Sequence, residues 1–560
     1  MLDSQNVPEP PLTRFDALLA LLVGGLSLAL YVRTLAPSVL TGDSAEFQVL
    51  AYQMGIAHTP GYPVYIMLAK LFTYLPIGDI AYRVNLFSAF AAAVAVSGVY
   101  LATRLLQYRA EESIHSNAGH PSAALRASST PAAISAGSTS LLSAITHERL
   151  AAVFGGLALA VGYTFWSQAI IAEVYTPGAA LVALIWCGLL AWYRTGRRWP
   201  LFLAGICGGL SLGVHSTVAL FAPAVLLFLW LNRRRWPNCW LPAVLAAAAG
   251  TLLYLLAFIV VDLNAPPANI FNAAYAPARS SWNLSREDLD SPVQRMIFNG
   301  TATQWRSAMF ARWNRLPGQL LEYVGDLPRN FAALTLVLAL AGLVLIFRRE
   351  RSLGWLFLAA LLVHWLFTFT YQIGDIYVFY IPGYVLMAML AGYAAARIVG
   401  WLAKRLSGGA RLVGIGALLA VLIIGVWPRL APYWQAVRVG AVPFVDVEDY
   451  PVTSESAYRA AQRVVEQLPP DAVVFVDWSQ LYTYYYAAHI EQGRLDLRFI
   501  EPEPRADRPG LPASAIEFIR ENIATRPIFF TRPWPEVERA GYRFQAREIR
   551  FVRFYQVQSQ

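Results

Sequence analysis

The chain has 560 residues, 57% of them hydrophobic and only 14% charged, with a mean hydropathy of +0.45. A soluble domain carries about 25% charged residues, so this composition belongs in a bilayer. The formal charge of +9 does not signal nucleic-acid binding, because the basic residues fall in short clusters between apolar runs. These are Arg194, Arg197 and Arg198; Arg233 to Arg235; Arg348, Arg349 and Arg351; and Lys404, Arg405 and Arg411. Clusters of this kind set membrane topology rather than line a nucleic-acid stripe. Cys187, Cys207 and Cys239 are scattered in or beside apolar segments and imply neither a disulfide framework nor a zinc site.

Residues 1–14 read as a polar tail, and a first span covers about 16–36, the roughly 20 residues that a bilayer core requires. No small-residue cleavage site follows it, so it reads as an anchor rather than a signal peptide. The next stretch, Thr41 to Pro63, TGDSAEFQVLAYQMGIAHTPGYP, places Asp43, Glu46 and His58 beside the membrane. Carboxylates are costly near hydrocarbon and need a reason to be there. Asp43-Ser44-Ala45-Glu46 reads as a helix N-cap with its N3 acid, opening a helix through Met54. Tyr62 to Leu75 is apolar but short and suits an interfacial helix.

A second span covers about 84–106, and residues 110–148 read as a flexible cytoplasmic linker, small, polar and poor in aromatics. Further spans follow near 150–165, 174–193, 199–214, 217–232 and 240–261. A long polar loop occupies 262–330, and four more spans lie near 331–347, 354–371, 377–398 and 411–428, eleven in all. Pro382-Gly383 reads as a kink in the tenth. Beyond Pro428 the composition turns soluble. DAVVFVDW (471–478) and PIFF (527–530) read as buried strands, with helical patterns near 455–467 and 513–523. The expected organisation is thus a transmembrane domain over 1–428 and a small α/β domain over 429–560.

With the amino terminus in the cytoplasm, every arginine cluster above falls inside, and the short joints at 166–173, 213–217 and 371–376 fall outside. Asp43, Glu46, His58 and Tyr62, Arg83 and Asn85, Trp166, Gln168, Glu173 and Tyr175, His215, Tyr371 and Asp375 then gather at the outer face. Bland roles exist for several: aromatic-belt packing for Trp166, Tyr175 and Tyr371, snorkelling for Arg83, capping for His215. Convergence from five separate segments points instead to a site at the outer interface. A carboxylate there can deprotonate a hydroxyl, and basic groups can hold a lipid-linked phosphate as it leaves. No HExxH, CxxC or Gly-rich phosphate loop indicates a cofactor, and a divalent metal is left open.

The blocks GDSAEF with GIAHTPGYPVY, YRVNLFSAF, FWSQAIIAEVY, GVHST and YQIGDIYVFYIPGY resemble one membrane family, formerly a domain of unknown function. It is related to eukaryotic protein O-mannosyltransferases and similar to the GT-C glycosyltransferase superfamily. The likeness covers about 40–390 in discontinuous blocks. It implies a polytopic helical GT-C-like fold and inverting transfer of a sugar, with mannose suggested, from a polyprenyl-phosphate donor. The acceptor would be a protein, lipid or glycan outside the cytoplasm. The resemblance carries the catalytic acid onto Asp43, with Glu46 as second candidate. It makes His58, Glu173, His215 and Asp375 site-lining, and Arg83 or Arg279 phosphate partners. The Asp-x-x-Glu spacing leaves open which acid is the base. A transporter or flippase of lipid-linked sugars is the rival reading, although the acids cluster at one end of the spans rather than at the midplane, where transporters place them. A scaffold assembling through its outer domain would need none of these acids.

Overall fold

The computed structural model describes residues 12–108, 146–237, 239–405, 410–444, 446–447, 450–451, 455–505, 507–550 and 552–559. The proposed linker at 110–148 lies outside the described residues except for 146–148. Among the described residues, seven helices are long and apolar enough to cross a bilayer, or nine if two bent pairs each count as one span. The difference from eleven lies at 198–232. There the chain forms helices of 13 residues (Arg198–Leu210) and 10 residues (Ala222–Leu231), joined through short 3-10 turns at His215. Each falls short of the roughly 20 residues that a straight span needs.

Helix α1 (Arg14–Arg33) starts on a capping box in which Thr13 and Asp16 satisfy each other's backbone N–H groups. Asp16 is fully buried and does more than cap. It accepts from Arg104 Nε at 2.9 Å, Arg149 Nε at 3.0 Å and the Tyr100 hydroxyl at 3.1 Å, tying three helices together. Two short elements follow: α2 (Gly42–Gln53) and α3 (Pro63–Thr73). Then comes the long span α4 (Ile80–Gln107), N-capped by Asp79. Small residues let the spans close on one another: a Cβ at Gly98 would sit 2.7 Å from the Ala183 Cβ, and one at Gly155 would sit 2.8 Å from the Ala388 carbonyl.

The sequence-based capping of α2 is corrected by the structure. The N-cap is Thr41, so Asp43 and Glu46 both lie inside the helix and cap nothing. The turn between α2 and α3 brings His58 back over the start of α2, with Tyr62 in the left-handed region at φ 49°. Pro382 is not a kink either. It stands in the first turn of the helix Ile381–Arg405, where its missing N–H leaves no bond unmade.

The C-terminal residues form a short hairpin, β1 (Asp446–Val447) and β2 (Tyr450–Pro451), and then a five-stranded sheet. Its strands are β3 (Val473–Phe475), β4 (Arg498–Ile500), β5 (Ile528–Phe530), β6 (Tyr542–Ile549) and β7 (Val552–Ser559), in the order β4-β3-β5-β7-β6. The first three pair in parallel, and β7 pairs antiparallel with β5 and β6. The helix Trp478–Tyr485 after β3 lies against α2. Its side chains bond to main-chain groups of the membrane-helix region: Tyr482 to the Ala268 carbonyl, Thr483 to the Leu40 carbonyl and Tyr485 to the Pro267 carbonyl, all near 3.0 Å. The Ala81 N–H donates in turn to the Tyr486 hydroxyl. This docking fixes the C-terminal sheet over the first loop.

Candidate active site

The first loop folds its ionisable residues into a linked set. Glu46 is fully buried, and its carboxylate accepts from the His58 main-chain N–H at 2.7 Å and contacts His58 Nδ1 at 2.5 Å. The other ring nitrogen of His58 faces Asp43 Oδ2 at 3.8 Å and the Tyr62 hydroxyl at 3.4 Å. Burial on its own would lower the His58 pKa. The Glu46 and Asp43 carboxylates outweigh it and bring it up to about 9. Burial raises the Glu46 carboxyl, and the His58 charge offsets part of that rise. Asp43 keeps 22% of its side chain accessible and accepts from the Trp478 indole N–H at 2.9 Å.

Asp43 opens onto a cavity of about 680 Å³. His58 and Tyr62 line it from the first loop, and Tyr175 and His215 from the middle of the chain. Tyr371 and Asp375 enter ahead of the helix Ile381–Arg405. The His215 ring packs between Tyr175 and Phe379, with centroids 5.1 and 5.3 Å away, and its Nδ1 bonds the Thr217 hydroxyl. Tyr175 donates to Asp375 Oδ2 at 3.2 Å. Glu173 stands behind this wall, buried, accepting from the Ser44 hydroxyl at 3.3 Å. Burial, together with Asp43 and Asp375, pushes its carboxyl well above the usual carboxylate range.

Other residues singled out from the sequence lie elsewhere. Arg83 spends its guanidinium on the carbonyls of Thr73, Ile77 and Gly78, bracing the turn after α3. Asn85 is consumed by Gln48 and the Ala36 carbonyl. The helix Tyr163–Ala169 bends 71° from the one before it, which turns Trp166 and Gln168 into the core. Trp166 there donates to Thr34 and packs on Tyr433 and Phe444. Arg279 pairs with Glu517 of the C-terminal helix Ala513–Asn522 and borders a separate cleft. Neither Arg83 nor Arg279 lines the cavity that Asp43 opens onto, so the structure does not bring either arginine to the other candidate residues.

Several cavity residues were not found from the sequence. Arg312, in the 262–330 loop, lines the cavity beside Trp305, Met309 and Phe367, and its main-chain N–H bonds the Thr370 carbonyl at 3.0 Å. Its Nε is buried with no hydrogen-bond partner among the described residues. Trp478, Glu501 and Glu503 enter from the C-terminal sheet. No local pattern marked them, because an isolated arginine or a soluble-looking acid is ordinary in sequence. Among the described residues no group of three or more His, Cys, Asp and Glu side chains is placed to hold a metal ion.

The whole architecture is similar to that of a solved protein. The crystal structure of ArnT from Cupriavidus metallidurans bound to undecaprenyl phosphate aligns over 96% of this chain and 97% of its own, with a TM-score of 0.51 and 13% identity. At that identity the likeness establishes an ArnT-like fold alone, and with the apolar helices it supports an integral membrane protein. Residues 43–238 match the family model described as the N-terminal domain of the protein O-mannosyl-transferase TMEM260. The mouse protein O-mannosyl-transferase TMEM260 (Mus musculus) is 46% identical over 70 residues, 12% of this chain. That of Dictyostelium discoideum is 33% identical over 79 residues, 14% of this chain. The matched stretches span only 10% of the length of either curated relative.

Proposed function

We propose that this protein is a polytopic glycosyltransferase that moves a sugar, mannose by its relatives' names, from a polyprenyl-phosphate donor to a hydroxyl-bearing acceptor. The observation that carries this reading is a single cavity holding both an accessible carboxylate, Asp43, and a guanidinium with an unmet donor, Arg312. Asp43 accepts the proton of the acceptor hydroxyl as its oxygen attacks the anomeric carbon from the face opposite the phosphate. The bond between that carbon and the phosphate oxygen breaks, and polyprenyl phosphate leaves with its charge held by Arg312. Glu46 is then not the base, since its carboxylate is sealed beneath His58 and holds that ring. The relatives named protein O-mannosyl-transferase and the undecaprenyl phosphate bound by ArnT support this donor and acceptor chemistry.

In this reading the amino terminus is cytoplasmic. The cavity, and an α/β domain over 429–560, face the outside of the cell or inner membrane, in keeping with the basic clusters on the opposite side. Transfer from synthetic polyprenyl-phosphate mannose in detergent tests the assignment. Asp43→Asn should lower kcat by about 10²- to 10⁴-fold, and Arg312→Gln should lower kcat/KM by about 10- to 100-fold. Native rates in both variants would remove the catalytic assignment. Donor binding by the native protein without release of polyprenyl phosphate would favour a lipid-sugar flippase.

A further inference from the structure

The C-terminal sheet does more than cover the cavity. The segment after β4 supplies Glu501 and Glu503 to the wall near Asp43, and the helix after β3 supplies Trp478. The two glutamates differ in one respect. The Glu503 carboxylate is occupied, accepting from the Gly510 N–H at 2.9 Å and from Arg532 at 3.0 Å. Among the described residues no hydrogen bond or ion pair engages the Glu501 carboxyl, although its main chain is fixed by an N–H donated to the Ala273 carbonyl at 2.8 Å. A carboxyl held in place by its backbone, lining a cavity and lacking a protein partner, is free to take one from a ligand.

The cavity lining combines two kinds of chemistry. Arg312 lines it together with the apolar Trp305, Met309 and Phe367, a set that suits a phosphate on an apolar tail. The segments around the C-terminal sheet offer carboxyls and an indole, and Arg532 is paired to Glu503. Around those segments the Asp43, Asp477 and Glu503 carboxylates outnumber the His58 and Arg532 cations, so an anionic acceptor would meet net like charge even with Glu501 neutral. We propose that Glu501 is an acceptor-positioning residue: its carboxyl hydrogen-bonds the acceptor beside Asp43, and the acidic wall around it selects neutral or cationic hydroxyl-bearing polypeptide segments over anionic acceptors. Burial, with the Glu46, Asp477, Asp43 and Glu503 carboxylates around it, pushes the Glu501 carboxyl up to about 8, against which the His58 cation lining the same cavity is not enough to hold it ionised. Near neutral pH it therefore carries its proton and donates to an acceptor oxygen, while Asp43 receives the hydroxyl proton.

The inference rests on the transferase reading but is tested apart from it. Three fluorescent threonine peptides, alike except for neutral, lysine or glutamate neighbours of the threonine, are titrated against the full chain in detergent without donor. The native protein should bind the neutral and lysine peptides at least about tenfold tighter than the glutamate one. Glu501→Ala should weaken the neutral peptide about tenfold, while Glu501→Gln, whose amide still donates, should stay within about threefold of native. A thermal unfolding scan of each variant separates loss of the contact from loss of the fold. Equal binding of all three peptides, native affinity in Glu501→Ala, or no binding by the native protein would overturn the assignment. The expected ranking without any transfer from polyprenyl-phosphate mannose would instead overturn the transferase reading and leave the acceptor site standing.

Discussion

Glu46 holds His58 by two atoms at once, its carboxylate accepting from the main-chain N–H at 2.7 Å and meeting the ring Nδ1 at 2.5 Å. The pairing turns the other ring nitrogen toward Asp43. His58 gains its proton affinity from this contact, so its contribution to stability is fully present below its ordinary pKa near 6.5 and is lost as pH rises through about 9. The thermal midpoint of the native protein in detergent should fall across that window. Glu46→Gln should flatten the fall and lower the midpoint at pH 7, since the buried ring loses its counter-charge. An unchanged slope in the variant would mean that the pair does not set the His58 charge.

Trp478 donates to Asp43 and packs its ring edge-on against His58 and Tyr482. Trp478→Phe keeps most of the packing and removes only the donor. Transfer kcat should fall about tenfold, the scale of one hydrogen bond to a charged group, with the thermal midpoint nearly unchanged. A large loss of stability with native kcat would assign Trp478 to docking alone.

Arg279 and Arg83 bond to protein partners away from the cavity, whereas Arg312 lines it and its Nε has no hydrogen-bond partner among the described residues. Arg279→Ala should therefore leave the KM for a polyprenyl-phosphate donor within about twofold of native. Arg312→Gln should raise it by about 10-fold or more. Steady-state kinetics with a donor series decides between them.

Asp16, in the first turn of α1, is the shared counter-charge of Arg104 and Arg149. Asp16→Ala leaves two largely buried guanidinium groups without it and should cost about 3–5 kcal/mol, read as a lower unfolding midpoint in detergent. Asp16→Asn, which keeps the shape, should recover only part. Because this clasp lies far along the helices from the first loop, the surviving folded fraction should retain native KM.

Much of the membrane architecture was legible because hydropathy runs and arginine clusters are local signals. α1, α4 and the helices Tyr175–Thr195, Trp240–Asn264 and Arg351–Thr370 lie where apolar runs predict them. The runs at 199–232 misled because composition does not tell a short helix pair broken at His215 from two spans. At the site, Asp43, His58, Tyr62, Tyr175, His215, Tyr371 and Asp375 drew notice as polar or amphipathic groups at span ends, and they line one cavity. Trp166 and Asn85 carried the same signal, but the bend of one helix and the partners of the other place them in the core. Arg312, Trp478 and Glu501 reach the cavity only through contacts between distant segments, which no window of sequence contains.

The bond from Trp478 to Asp43 joins residues 435 positions apart. A ribosome delivers the first loop to the membrane long before it has made the segment after β4 that carries Glu501. Throughout that interval Asp43 lacks its indole partner, and the cavity lacks one side. Completion of the cavity thus waits on the synthesis of residues 478–503, and a chain arrested before residue 478 would be an inserted membrane protein with an unfinished cavity.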